Sequence, residues 1–99
     1  MHTVEEIKNK VEPIFEQKGV LKAILFGSYA KGVATENSDI DIAAYVDEEM
    51  PIIDFCAIAD DVINKLGKNV DFVYGDDIVS GGKVDLEIKK DGVVIYARG

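Results

Sequence analysis

The 99-residue chain has room for one domain and a modest core, since domains typically take roughly 100–200 residues and 47% of these are hydrophobic. Eleven Lys and Arg against nineteen Asp and Glu give a formal net charge of −8, which argues against a stand-alone nucleic-acid binder and against docking on an anionic membrane. Cys56 alone makes no internal disulfide, and no apolar run forms a leader or approaches the ~18 residues of a membrane span, so the expected setting is the cytoplasm.

Thr3 followed by Glu6 has the spacing of a capping box. Val4, Ile7, Val11, Ile14 and Phe15 then recur at helical spacing, and Gly19 closes the element. The apolar run Val20-Leu21-Lys22-Ala23-Ile24-Leu25-Phe26 reads as a largely buried strand ending at Gly27-Ser28. A polar connector over 29–38 leads to a second strand, Asp39-Ile40-Asp41-Ile42-Ala43-Ala44-Tyr45-Val46, and a turn over 47–51. Asp54 is the expected N-cap of a helix with the apolar stripe Phe55, Ile58, Ala59, Val62, Ile63 and Leu66, with Gly67 just past its end. Residues 70–74 read as a third strand. The last segment has two readings: alternation of Val84, Leu86 and Ile88 with Asp85, Glu87 and Lys89 before Asp91-Gly92 favours a hairpin, whereas a short helix over 82–90 capped by Gly92 is the rival. No linker or repeat divides the chain, so residues 1–99 are expected to form a single unit.

Between Lys31 and Lys65 there is no basic residue, while carboxylates are frequent. Most of them, such as Glu48, Glu49, Asp60 and Asp61, read as an ordinary solvated or partner-facing surface. Asp39 and Asp41 differ, because residues i and i+2 of a strand point to the same side, with Ile40 and Ile42 opposite. Asp is disfavoured in strands, and two like charges about 7 Å apart repel. A divalent cation would remove that penalty, and Mg²⁺ takes a few carboxylate oxygens together with water and substrate phosphates. Asp71 interrupts the apolar third strand in the same way, so three aspartates would converge if the two strands are neighbours. Gly27-Ser28 at a strand end, opening a helical turn, is a natural phosphate seat. The connector is not a Walker A loop, because Gly32 is followed by Val33-Ala34, and Asp39-Ile40-Asp41-Ile42 lacks the ligand spacing of an EF-hand.

Gly27-Ser28, ten intervening residues, Asp39-Ile40-Asp41 and a later Val70-Asp71-Phe72 together resemble the signature of the DNA polymerase β-type nucleotidyltransferase superfamily, in its minimal (MNT) branch. The resemblance spans essentially the whole chain. It implies an α/β (α+β) fold, a small mixed sheet with helices packed on it in the order α-β-(short α)-β-α-β-(short α)-β, and therefore a helix over 82–90. It implies a Mg²⁺-dependent transfer of a nucleotide from ATP to a hydroxyl, with two Mg²⁺ ions per site held by Asp39, Asp41 and Asp71. By the same resemblance Gly27 and Ser28 hold the terminal phosphates; Lys31 has the reach for a further phosphate contact, with a solvent-facing lysine as the alternative. Free-standing MNT chains of this length resemble antitoxins of HEPN/MNT toxin–antitoxin modules, which implies AMP transfer to a tyrosine of a HEPN ribonuclease partner. A homo- or hetero-oligomer is expected, with no direct nucleic-acid or membrane partner. Two alternatives stand beside this reading: transfer to a small-molecule hydroxyl such as an antibiotic, and a non-catalytic module that neutralises its partner by contact alone.

Overall fold

In the computed structural model, which describes residues 1–98, the chain runs through α1 (Val4–Lys18), β1 (Val20–Phe26), the short α2 (Gly27–Lys31), β2 (Ile40–Val46), α3 (Ile52–Leu66), β3 (Val70–Tyr74), a 3-10 turn (Gly75–Asp77), α4 (Lys83–Asp91) and β4 (Val93–Ala97). The strands form one mixed sheet in the order β3-β2-β1-β4. β1 is antiparallel to both β2 and β4, whereas β2 and β3 are parallel. A parallel pair needs a crossover, and α3 supplies it. Among the described residues, no helix is long and apolar enough to cross a membrane.

The expected capping box starts α1. The Thr3 hydroxyl accepts from the Glu6 amide at 3.1 Å, and the Glu6 carboxylate accepts from the Thr3 amide at 3.0 Å. That backbone donor, followed by the Thr3 side chain, holds the Glu6 carboxyl below its ordinary range. Gly19, at φ +82°, ends the helix in the left-handed conformation that only glycine adopts cheaply.

α3 begins earlier than its sequence suggests. Pro51 occupies the N-cap and the helix starts at Ile52, so Asp54 lies inside the first turn instead of capping it. The Asp54 amide already donates to the Pro51 carbonyl at 3.0 Å. Proline's fixed φ suits helix entry, and a carboxylate in the first turn still complements the helix dipole. The stripe is otherwise as read: Phe55, Ile58, Val62 and Leu66 are buried, with Ala59 and Ile63 half-buried.

Ile40, Ile42 and Leu25 are buried in one core cluster with Ile7, Val11, Phe15 and Val62 of α1 and α3. Each fully buried Ile or Leu side chain is worth roughly 1.5–3 kcal/mol relative to exposure. Phe72 ties the two helices to the sheet, its ring 6.1 Å from Phe15 and 5.0 Å from Phe55.

The other side of the sheet carries α4, and the hairpin reading of this segment fails. β4 takes its ladder from β1, pairing Leu25 with Val93 and Lys22 with Ala97, so residues 84–88 have no strand partner. On a helix Val84 and Ile88 share one side and are half-buried, while Leu86 projects elsewhere and is 57% exposed. Asp85 accepts from the Gly81 amide at 2.8 Å and pairs with Lys89 at 3.0 Å, and these contacts hold its carboxyl below the usual range. Gly92 ends the helix with an extended backbone (φ −60°, ψ 139°), not in the left-handed form. A Cβ there would run into the Ile88 carbonyl and Ile24, so glycine is required for the chain to turn so tightly into β4.

Candidate functional site

The parallel register between β2 and β3 places Asp41 directly opposite Asp71. Strands in a sheet lie ~4.8 Å apart, so these two carboxylates start from adjacent backbones. Asp39 stands one residue before β2, two positions from Asp41, and is exposed. Ile40 and Ile42 are fully buried on the opposite side. The alternation that buries these isoleucines also turns the aspartates outward.

On its other flank Asp41 pairs with Phe26, the last residue of β1. Gly27 follows with φ +73°, buried and in direct apposition to the Asp41 carboxylate. A Cβ at position 27 would overlap Asp41 Oδ2. Glycine thus serves two needs here, a positive φ at the turn from β1 into α2 and a space that the carboxylate fills. Ser28 follows in the first turn of α2, half-buried. Gly32, at φ +77°, ends the helix, and the Val33 amide closes back on the Ser28 carbonyl at 3.1 Å. Lys31 is exposed and lines a cleft of about 500 Å³ with Lys83, Leu86, Glu87, Lys90 and Asp91.

Burial pushes the Asp41 carboxyl up to about 6, and the neighbouring charges of Asp71, then Glu87, then Asp39 push in the same direction. Glu87 is the residue that sequence reading missed. Alternation made it the outer position of a strand, whereas on α4 it lies three residues from Val84 and borders the inward side of the helix. Its signal was present only in the helical reading of this segment.

The donor set is all carboxylate, suited to a hard divalent cation that keeps some of its water and substrate oxygens. Among the described residues no three Asp, Glu, His or Cys side chains converge on one metal-sized point. The partly desolvated Asp41, crowded by three like charges and seated in the space that Gly27 leaves, nevertheless fits such a cation, because a divalent charge relieves that repulsion. Cys56 is exposed, and His2 Nε2 lies 2.7 Å from the Leu66 carbonyl at the end of α3.

With this geometry in place, the chain can be set beside known proteins. The family model described as Polymerase beta, Nucleotidyltransferase matches residues 9–99. The chain belongs to this nucleotidyltransferase family. It is therefore an enzyme of the nucleotidyltransferase type. It is 33% identical over 85 residues to protein adenylyltransferase MntA of Thermococcus cleftensis, covering 82% of this chain and 86% of that one. It is 40% identical over 68 residues to a Methanocaldococcus jannaschii protein named as a candidate protein adenylyltransferase, covering 69% and 73% respectively. Among solved structures, the nucleotidyltransferase fold is shared with a toxin–antitoxin complex containing AMP-PNP (TM-score 0.76, 24% identity, 92% of this chain and 73% of that one). It is also shared with a complex of a tri-AMPylated Shewanella oneidensis HEPN toxin and its MNT antitoxin (TM-score 0.71, 19% identity, 97% and 74%). The mixed four-stranded sheet with the order expected from sequence is the fold of this family.

Proposed function

We propose that this nucleotidyltransferase is a protein adenylyltransferase of the antitoxin kind, moving AMP from ATP to a tyrosine hydroxyl of a HEPN ribonuclease partner. The observation that carries the reading is the parallel register setting Asp41 against Asp71, with Asp39 two positions before Asp41 and Gly27 closed against the Asp41 carboxylate. The relative named protein adenylyltransferase, aligned over most of both chains, supports the choice of reaction. The solved complexes support the choice of partner.

In this reading Asp39 and Asp41 hold Mg²⁺ and Asp71 completes the set. Bound Mg²⁺ supplies neutralisation of the triphosphate charge, the main requirement of a transfer that depends on positioning more than on covalent chemistry. Gly27 and Ser28 seat the terminal phosphates at the start of α2, and Lys31 adds a cation at its other end. Asp71 orients the acceptor hydroxyl and takes its proton, which passes to water. The acceptor oxygen forms a bond to the α-phosphorus as the bond from that phosphorus to the α,β-bridging oxygen breaks. The electron pair leaves on pyrophosphate, and AMP stays on the acceptor as a phosphodiester.

Co-purification with the protein encoded by the neighbouring gene, followed by incubation with ATP and Mg²⁺, tests the proposal. Intact-mass and peptide analysis should show AMP on a partner tyrosine, and Asp41→Asn should abolish it. Absence of any AMP addition with a folded complex would overturn the reading.

A further inference from the structure

Lys83, Leu86, Glu87 and Lys90 follow the i, i+3, i+4, i+7 spacing, so they share one side of α4. All four line the cleft of about 500 Å³ that Lys31 of α2 also lines. Lys31 lies three residues after Ser28, hence on the Ser28 side of that short helix. Glu87, whose charge reaches Asp41, belongs to the same stripe of α4, so the cleft adjoins the aspartate site. Three of the chain's eleven Lys and Arg side chains thus meet in one place on a protein of net charge −8, and all three are exposed. Glu87 and Asp91 share the cleft, yet the one ion pair among the described residues is Lys89 with Asp85, on another side of α4. No carboxylate among them therefore pairs with Lys31, Lys83 or Lys90. Cations held together repel, and a polyanion removes that cost.

We propose that Lys83 and Lys90 of α4, acting with Lys31, hold the polyphosphate tail of the nucleotide, so that α4 makes the site prefer a triphosphate to a monophosphate. The inference rests on the nucleotidyl-transfer reading above, which seats the terminal phosphates at Ser28; the tail then meets the lysine cleft that α2 and α4 share. Ammonium groups only donate hydrogen bonds, so a ribose or base gains little from three of them. Phosphate oxygens accept those bonds and carry the opposite charge, which makes each contact stronger. A nucleic-acid backbone offers the same oxygens, but the charge of −8 repels a long polyanion while one short cleft suits a short one. Neither lysine belongs to the Gly27-Ser28 and aspartate set. Both reach the site because residues 83–91 form a helix, whose turns bring positions 83 and 90 onto one side.

Calorimetric titration of the full chain with AMP-PNP, AMP and inorganic tripolyphosphate, each with Mg²⁺, tests this. Lys83→Gln and Lys90→Gln should each weaken AMP-PNP and tripolyphosphate by about five- to tenfold, the scale of one partly screened contact between ammonium and phosphate, and change AMP by less than about twofold. Lys83→Arg should keep tripolyphosphate binding, because it keeps the charge. Lys65→Gln, which removes an exposed cation of α3, should leave all three ligands unaltered. Lys83 and Lys90 are exposed, so both variants should keep the wild-type circular dichroism spectrum. Wild-type protein that binds no tripolyphosphate, unchanged tripolyphosphate affinity in Lys83→Gln and Lys90→Gln, an equal loss for AMP, or an equal loss in Lys65→Gln would each overturn the assignment. A wild type that binds tripolyphosphate through these lysines but takes no AMP-PNP would instead strike the nucleotidyl-transfer reading, so the two failures are distinguishable.

Discussion

Asp41→Asn should stabilise the metal-free protein while abolishing transfer. Asp41 is set against Gly27; its partial burial first, and then the charges of Asp71, Glu87 and Asp39, raise its carboxyl from an ordinary 3.8 to about 6. The unfolded chain releases this proton near the ordinary value, so between about pH 4 and pH 6 the folded state holds more protons than the unfolded one. Stability therefore falls as pH rises through that window, and the penalty is fully present above it. Because the group retains substantial solvent contact, screening reduces the cost to about 1 kcal/mol. In a domain of this size that corresponds to roughly 4–8 °C in Tm. Asparagine is nearly isosteric, so it keeps the packing against Gly27 and removes the charge. Thermal melts in metal-free buffer should show the variant more stable at pH 7.5, with the gap closing towards pH 4.5. Added Mg²⁺ should raise the Tm of the wild type more than that of the variant. A variant less stable at pH 7.5, or a gap of equal size at both pH values, would refute the reasoning.

Gly27→Ala should abolish transfer and cost about 1–3 kcal/mol in urea denaturation, since it combines a positive φ with a Cβ driven into the Asp41 carboxylate; a near-wild-type midpoint would show that the turn relaxes freely. Tyr29 is 4% exposed and its hydroxyl has no hydrogen-bond partner among the described residues. Tyr29→Phe is accordingly expected to stabilise the fold by about 1 kcal/mol, measured by chemical denaturation, because it removes an unsatisfied buried group. Phe72→Ala, which takes away the ring between Phe15 and Phe55, should lower stability by about 3 kcal/mol, and a loss below about 1 kcal/mol would mean the two helices pack without it.

Local chemistry settled much of the chain in advance. The Thr3 capping box, the turn glycines Gly19 and Gly67, and the apolar run of β1 depend on neighbours within a few residues, and they appear where the sequence put them. The outward side of Asp39 and Asp41 likewise follows from strand alternation, because burial of Ile40 and Ile42 leaves no other choice. The start of α3 and the state of 83–91 were less legible. Pro51 competed with Asp54 for the cap, and a segment with apolar residues at 84, 86 and 88 suits a strand or one side of a helix until β1 takes β4 as its partner. Three features depended wholly on contacts between distant residues: the register of Asp41 against Asp71, the closure of Gly27 on that carboxylate, and the approach of Glu87. Sequence by itself determined which residue types were available and which way each strand would face. Only the tertiary structure decided which carboxylates became neighbours, because strand order and helix placement are set by burial of the whole core.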